Sequence, residues 1–316
     1  MLSITDLSHV YPNGTRALDA VSLEIPPGMF GLLGPNGAGK STLMRCLATL
    51  QVPSQGRITF DGLDVRAQPE ALRATLGYLP QDFGVYPRVS AWDMLDHLAV
   101  LKGLTSRAER HETVDALLHQ VNLWDVRKKA IAGFSGGMRQ RWGIAQALIG
   151  DPRLLIVDEP TAGLDPEERH RFNNLLAGIG ERKVVILSTH IVEDVTDLCP
   201  RVAILVGGRI VVAGTPTDLI EQLRGRVFTR AVDADELPSL KKQFALIDTR
   251  LRGGRPHILV LADEAPDPRF RPVEPGLEEV YFSTLYTHRQ AAAAAADAAP
   301  ADTPAPTGIA TAAGGR

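Results

Sequence analysis

The sequence predicts an α/β protein built on a parallel sheet that carries a phosphate-binding loop. An antiparallel β segment precedes it, a helical insertion interrupts it and a small α+β appendage follows. Three observations carry this expectation. The runs LLIV at 154–157 and VVIL at 184–187 are continuously apolar and end in polar residues. That is the pattern of parallel strands covered on both faces, with their chemistry at the carboxyl ends. The stretch GPNGAGKST at 34–42 follows an apolar run, MFGLL, and precedes a helical pattern through Leu43, Met44 and Leu47. Residues from about 84 to 150 instead space their apolar side chains by three and four, as in WDMLDHLAVLKGL and ERHETVDALLHQVNL.

In chain order, SITDLSHVY and ALDAVSLEI are strands around an NGT turn. MFGLL at 29–33 is a strand that runs into the glycine-rich turn and a helix from about Lys40. RITFDGLDV at 57–65 is a hairpin turning at Asp61-Gly62, and LGYLP at 76–80 a further strand. RLLIVDEP and KVVILSTH complete a main domain over 1–224, with the helical insertion at about 84–150. After it, RVFTRAV is a strand, DELPSLKKQF a helix, and ALIDTRL with PHILVLA a hairpin through RGGR. GLEEVYFSTLYTH closes this accessory unit, 225–288, as a helix. The alanine- and proline-rich segment 289–316 lacks large apolar residues and is expected to be a disordered tail.

A chain of 316 residues has room for one large domain and a smaller one. Its formal net charge of −3 excludes a broadly basic nucleic-acid surface. The two cysteines, Cys46 and Cys199, are too far apart in sequence for a metal motif or a disulfide framework, which fits a reducing cytoplasm. The start, MLSITDLSHVYPNG, has no apolar core after a basic segment and so no secretory signal. No run approaches the about 20 apolar residues that cross a bilayer. The expectation is a soluble chain that is free to sit on a membrane partner.

GPNGAGKST fits the pattern G-x-x-x-x-G-K-[ST], with Gly34, Gly39, Lys40 and Ser41 in its fixed places. Gly37 and Gly39 permit a loop, Asn36 and Ala38 included, whose N–H groups face phosphate oxygens. Lys40 adds a point charge toward the β- and γ-phosphates. Ser41 offers a hydroxyl to Mg2+ and Thr42 a further donor. Asp158 ends a buried strand, where it can hold Mg2+ through water. Glu159 follows at once, where it can polarise a water, and this points to hydrolysis rather than transfer to a substrate. No guanine-reading NKxD pattern is present, which argues against a GTPase. FSGGMRQR at 134–141 sets two glycines at the start of a helix, although each costs about 1 kcal/mol relative to alanine in a helix interior. Ser135 caps that helix. Gly136 and Gly137 allow close backbone approach, and the helix N-terminus suits an anion. A second phosphate contact is the reading of this stretch.

These residues resemble the ATP-binding cassette (ABC) ATPases over roughly residues 1–223. GPNGAGKST resembles the Walker A loop, LLIVDEP the Walker B strand and FSGGMRQR the signature motif, in the family's order. Gln81 in YLPQDFG resembles the Q-loop, Asp165 in TAGLD the D-loop and His190 in LSTH the switch histidine. Met138 stands where the commonest signature has glutamine, and Phe134 where it has leucine. The resemblance implies a P-loop NTPase fold of the ABC nucleotide-binding type, with a helical subdomain and an N-terminal antiparallel β subdomain. It implies that Tyr11 stacks on adenine and that Gln81 contacts Mg2+ or water. His190 is implied to hold the γ-phosphate and orient the attacking water. FSGG is implied to bind the γ-phosphate of ATP held by the P-loop of a second copy. Asp165 is implied to act across that interface, and a cap on the helix beginning near Pro166 would not exclude this. A head-to-tail homodimer around two ATP molecules is the simplest arrangement, and a heterodimer remains open.

The resemblance further implies the ATPase subunit of a transporter, peripheral on the inner face of the membrane through a separate permease. The stretch QDFGVYPRVSAWDML resembles exporters of drugs, lipids or polysaccharides. A rival reading is a soluble ABC ATPase acting on ribosomes or DNA. Such proteins pair two cassettes in one chain or insert a long coiled coil, and the sequence has neither. A P-loop kinase would leave the signature stretch and Glu159 unexplained.

Overall fold

The computed structural model describes residues 1–180 and 183–297. Strands β1 (Leu2–Val10) and β2 (Arg16–Ile25) form an antiparallel hairpin, with Thr15 N donating to Asn13 Oδ1 at 3.0 Å in the turn. β3 (Gly28–Leu33) runs into the glycine loop and α1 (Lys40–Leu47). β4 (Gln55–Phe60) and β5 (Leu63–Asp64) turn at Asp61 and Gly62, with φ of +49° and +83°. Two successive positive φ values are the tight hairpin geometry that Asp-Gly favours. α2 (Pro69–Ala74) and β6 (Leu76–Leu79) lead into the insertion, α3 (Ala91–Leu101), α4 (Arg107–Gln120) and α5 (Gly136–Leu148). Each of these three helices starts on a serine, Ser90, Ser106 or Ser135, whose hydroxyl accepts a first-turn N–H.

β7 (Leu154–Asp158), α6 (Pro166–Ile179), β8 (Val184–Thr189) and α7 (Val192–Leu198) follow. Then come β9 (Arg201–Val206), β10 (Arg209–Gly214) and α8 (Pro216–Glu221). The main sheet is six-stranded in the order β10-β9-β3-β8-β7-β6, parallel except for β10. Its strands face two cores. Leu155, Val157, Val185 and Leu187 point toward the insertion, α6 and α7. Leu154, Ile156, Val184 and Ile186 point toward α1 and the antiparallel sheet β2-β1-β4-β5. Burial on both faces is why these strands read as unbroken apolar runs.

The C-terminal unit holds β11 (Val227–Ala231), α9 (Leu237–Gln243), β12 (Leu246–Arg252), β13 (Arg255–Leu261), β14 (Arg271–Pro272) and α10 (Leu277–Asp297). Its antiparallel sheet has the order β12-β13-β11-β14. Leu277, Val280, Tyr281 and Leu285 of α10 join the larger core of the main body. Here the structure departs from the sequence reading, which placed the disordered tail at 289–316. Helix α10 continues through 289–297. A helix already nucleated by its packed first turns propagates readily through alanine, the best helix former. The rest of that segment, 298–316, lies outside the described residues.

Candidate active site

The aligned carboxyl ends of β3, β7 and β8 build the site. In register, Leu32 and Asp158 both pair with Ser188, and Leu33 pairs with Thr189. The loop after β3, Glu159 after β7 and His190 after β8 therefore emerge side by side, in the crevice where open α/β sheets bind ligands. Gly39 has φ of +108°, and a Cβ there would lie 2.3 Å from the Ala17 carbonyl oxygen. No other residue fits both demands, so the loop closes tightly under the hairpin. Lys40 opens α1 with its side chain 5% exposed. Its Nζ donates to Gly34 O at 2.7 Å and Pro35 O at 3.3 Å, and meets Glu159 Oε1 at 3.2 Å.

Above the loop lies a cavity of about 530 Å³, walled by Tyr11, Asn36, Lys40, Thr42, Gln81 and Glu159. Gly37, Ala38, Gly39 and Ser41 also border it. The Tyr11 hydroxyl and Thr42 Oγ1 share a hydrogen bond of 3.0 Å, and the ring stands edge-on to His9.

Asp158 is 2% exposed, and its Oδ1 has no hydrogen-bond partner among the described residues. Burial pushes its carboxyl above the ordinary range, and the hydroxyls of Ser188 and Ser41 partly offset this. A buried carboxylate oxygen left open beside a serine hydroxyl is a hard oxygen donor set of the kind Mg2+ takes. Glu159, also buried, has φ of +51°, a conformation that costs a non-glycine residue about 1–3 kcal/mol. That backbone turns the side chain back over the loop. Its Oε2 accepts from His190 Nδ1 at 2.5 Å while its Oε1 faces Lys40. One carboxylate thus joins the ends of three neighbouring strands.

The signature stretch lies apart from this cavity. Ser135 Oγ accepts from Met138 N at 3.2 Å, so the helix start is capped as expected. Gly137 is buried, and a Cβ there would come 2.1 Å from Glu168 Oε2. Glu168 is held in turn by Arg141 at 2.5 Å. Gly136 is different, because its Cβ position has nothing nearer than Leu164 Cδ2 at 3.8 Å. Ser135 and Gly136 therefore present an open helix N-terminus. Asp165 caps α6, its Oδ1 accepting from Glu168 N at 2.8 Å, and it too lies outside the cavity.

Two features escaped the sequence reading. Arg16, Gly207 and Gly208 also border the cavity. Only the adjacent glycines at the β9–β10 turn could have hinted at this. Behind His190, the buried Asp194 of α7 accepts from Thr161 Oγ1 at 2.6 Å, Arg169 Nε at 2.6 Å and Asn173 Nδ2 at 3.0 Å. This network ties the TAGLD loop and α6 to the helix after the switch histidine. Asp194→Ala should cost about 3 kcal/mol, since it strips Thr161 and Asn173 of a buried acceptor and leaves the Arg169 guanidinium with the exposed Glu193 alone. A fall in the urea midpoint at constant slope would report it, and an unmoved midpoint would contradict it.

The ABC transporter family matches residues 18–162. The Nod factor export ATP-binding protein I of Rhizobium etli is 37% identical over 249 residues, covering 77% of this chain and 78% of that protein. The methionine import ATP-binding protein MetN 2 of Yersinia pestis is 37% identical over 237 residues, covering 72% of each chain. A dimeric post-hydrolysis ATP-binding cassette bound to ADP and phosphate superposes with a TM-score of 0.63 at 25% identity, over 68% of this chain and 98% of that one. With its loop, strand-end carboxylates and signature helix assembled on this fold, the chain belongs to the ABC transporter family, as one of its ATPases.

Proposed function

We propose that the chain is the ATP-hydrolysing subunit of an exporter, dimerising head to tail around two ATP molecules and driving a separate membrane permease. The observation that carries this reading is the separation of two phosphate sites in one chain. The loop cavity and the open start of α5 do not meet within it, so each suits an ATP shared with a second copy. In this reading Gly34 to Thr42 cradle the phosphates, with Lys40 on the β- and γ-phosphates. Tyr11 takes the adenine ring. Glu159 accepts a proton from the attacking water, and His190 orients Glu159 and the γ-phosphate. Ser135, Gly136, Gly137 and Asp165 complete the partner's site.

No group of three or more His, Cys, Asp or Glu side chains suited to a metal occurs among the described residues. Mg2+ would therefore rest on Asp158, Ser41 and the phosphates, with Gln81 at the cavity edge, and when bound it neutralises phosphate charge.

A groove supports the permease partner. A cleft of about 670 Å³ runs beside Leu50, Gly77, Leu98, Leu101, Lys102 and Ala147. Leu50 and Leu101 leave 65% and 71% of their surface exposed there. An apolar cleft with exposed leucines fits an amphipathic helix of a partner. Among the described residues no helix is long and apolar enough to cross a membrane. In this reading the permease is a separate partner, and the chain sits on the inner face of the membrane through it.

The test is dimerisation. In the Glu159→Gln background, which slows hydrolysis, ATP should drive the chain into a dimer on sedimentation. Adding Ser135→Arg should keep it monomeric while ATP still binds. The lost cap costs only about 1 kcal/mol, so the fold survives. A dimer persisting in the double variant would overturn the head-to-tail arrangement.

A further inference from the structure

The C-terminal sheet ends on a strand of two residues, and a basic cavity opens where that strand stops. β14 pairs Arg271 with Thr229 and Pro272 with Phe228 and goes no further. Before it the chain turns, Phe270 N donating to Asp267 O at 3.0 Å. Among the described residues no strand covers the outer edge of β11 beyond Thr229. A cavity of about 650 Å³ lies there, walled by Arg230, Arg255, His257, Arg269 and Arg271 against the carboxylates of Asp233 and Glu236.

Arg230 is the informative residue. It is 8% exposed, and its guanidinium lies 5.8 Å from the Phe270 ring centre. Nη2 donates to Glu236 Oε1 at 3.3 Å. Nη1 is buried without a hydrogen-bond partner among the described residues, 3.5 Å from Asp267 Oδ2. Asp267 is already taken: Arg269 reaches it through Nη2 at 2.8 Å and Nε at 3.2 Å. Two of the other arginines are also under-matched. Arg255 meets Asp233 only at 3.9 Å, and Arg271 makes no ion pair among the described residues.

A buried donor without an acceptor is costly, and converging arginine forks match the oxygens of a phosphate group. The cavity has the volume of a small-molecule site. We propose that this cavity binds a small phosphate-bearing anion, held by Arg230 and Arg271, at a site separate from the ATP cavity. A free phosphate compound and a phosphate lipid headgroup share this chemistry, so the test includes both.

The full chain carrying Lys40→Ala, which weakens its own phosphate loop, is titrated calorimetrically with pyrophosphate. It is also sedimented with phosphatidylcholine vesicles with and without phosphatidic acid. The site predicts saturable binding of one probe that weakens at least about tenfold, or about 1.4 kcal/mol, in Arg271→Gln. Arg271 is exposed and unpaired, so this variant keeps its fold. Arg252→Gln, an exposed arginine of the same sheet outside the cavity, should bind like the parent. Pyrophosphate binding assigns a free anion, and vesicle binding alone assigns a headgroup. Failure of both probes, or equal binding by Arg271→Gln and its parent, would overturn the proposal.

Discussion

Glu159→Gln should slow ATP hydrolysis by at least about 100-fold, or about 2.7 kcal/mol of barrier, while ATP still binds. The amide keeps the size and shape of the side chain, so it keeps the contacts of a buried residue. It also keeps the positive φ, so the strain at the end of β7 is unchanged. What it loses is the basic oxygen. In its place His190 Nδ1 and Lys40 Nζ would face a neutral amide, which cannot take a proton from water. The carboxylate already has two neighbours, His190 and Lys40, which hold it aimed over the loop. A general base contributes about 10²–10⁴-fold, so the lower bound is conservative. Single-turnover hydrolysis with purified variant checks it. Near-normal turnover would assign the water to another group, and loss of ATP binding would make Glu159 a structural residue of the loop.

Much of this site was legible because its parts are local in sequence. A phosphate loop needs glycines, a lysine and a hydroxyl within a few residues, and 34–42 supplies them between a strand and a helix. The buried strands announced themselves because packing on both faces removes any alternation. What stayed hidden depends on contacts between distant elements. The Glu159–Lys40 and Glu159–His190 contacts exist only because β3, β8 and β7 are neighbours, an order that chain succession does not reveal. Asp194 gathers Thr161, Arg169 and Asn173 from another loop and helix, and in sequence it is only an acid in a first helical turn. The course of α10 was misread for a related reason. The helix over GLEEVYFSTLYTH was expected, but the run of alanines after it carries no periodicity to show that the helix continues through 289–297. The exposure of Gly136 beside the burial of Gly137 was equally invisible, although it separates the glycine that packs inside the chain from the one left facing outward.

Lys40→Ala should weaken ATP binding by about 100-fold or more. Charge-assisted hydrogen bonds contribute about 1.5–3 kcal/mol each, and in the proposed site the ammonium makes them to two phosphates. The measured loss will understate the strength of those contacts. In wild type the Gly34 carbonyl, at 2.7 Å, and Glu159, at 3.2 Å, compete with ATP for the same ammonium. Removing Lys40 also leaves a buried carboxylate with one partner fewer, so some stability should be lost independently of ATP. The two effects separate cleanly: calorimetric titration reads the nucleotide, and urea unfolding without ATP reads the fold. Lys40→Arg sharpens the comparison. It keeps the charge but puts a longer planar fork where only a compact ammonium fits between Gly34, Pro35 and Glu159, and it should recover little affinity. If either variant titrates with ATP as wild type does, the loop's grip comes from backbone amides alone and the lysine has another role.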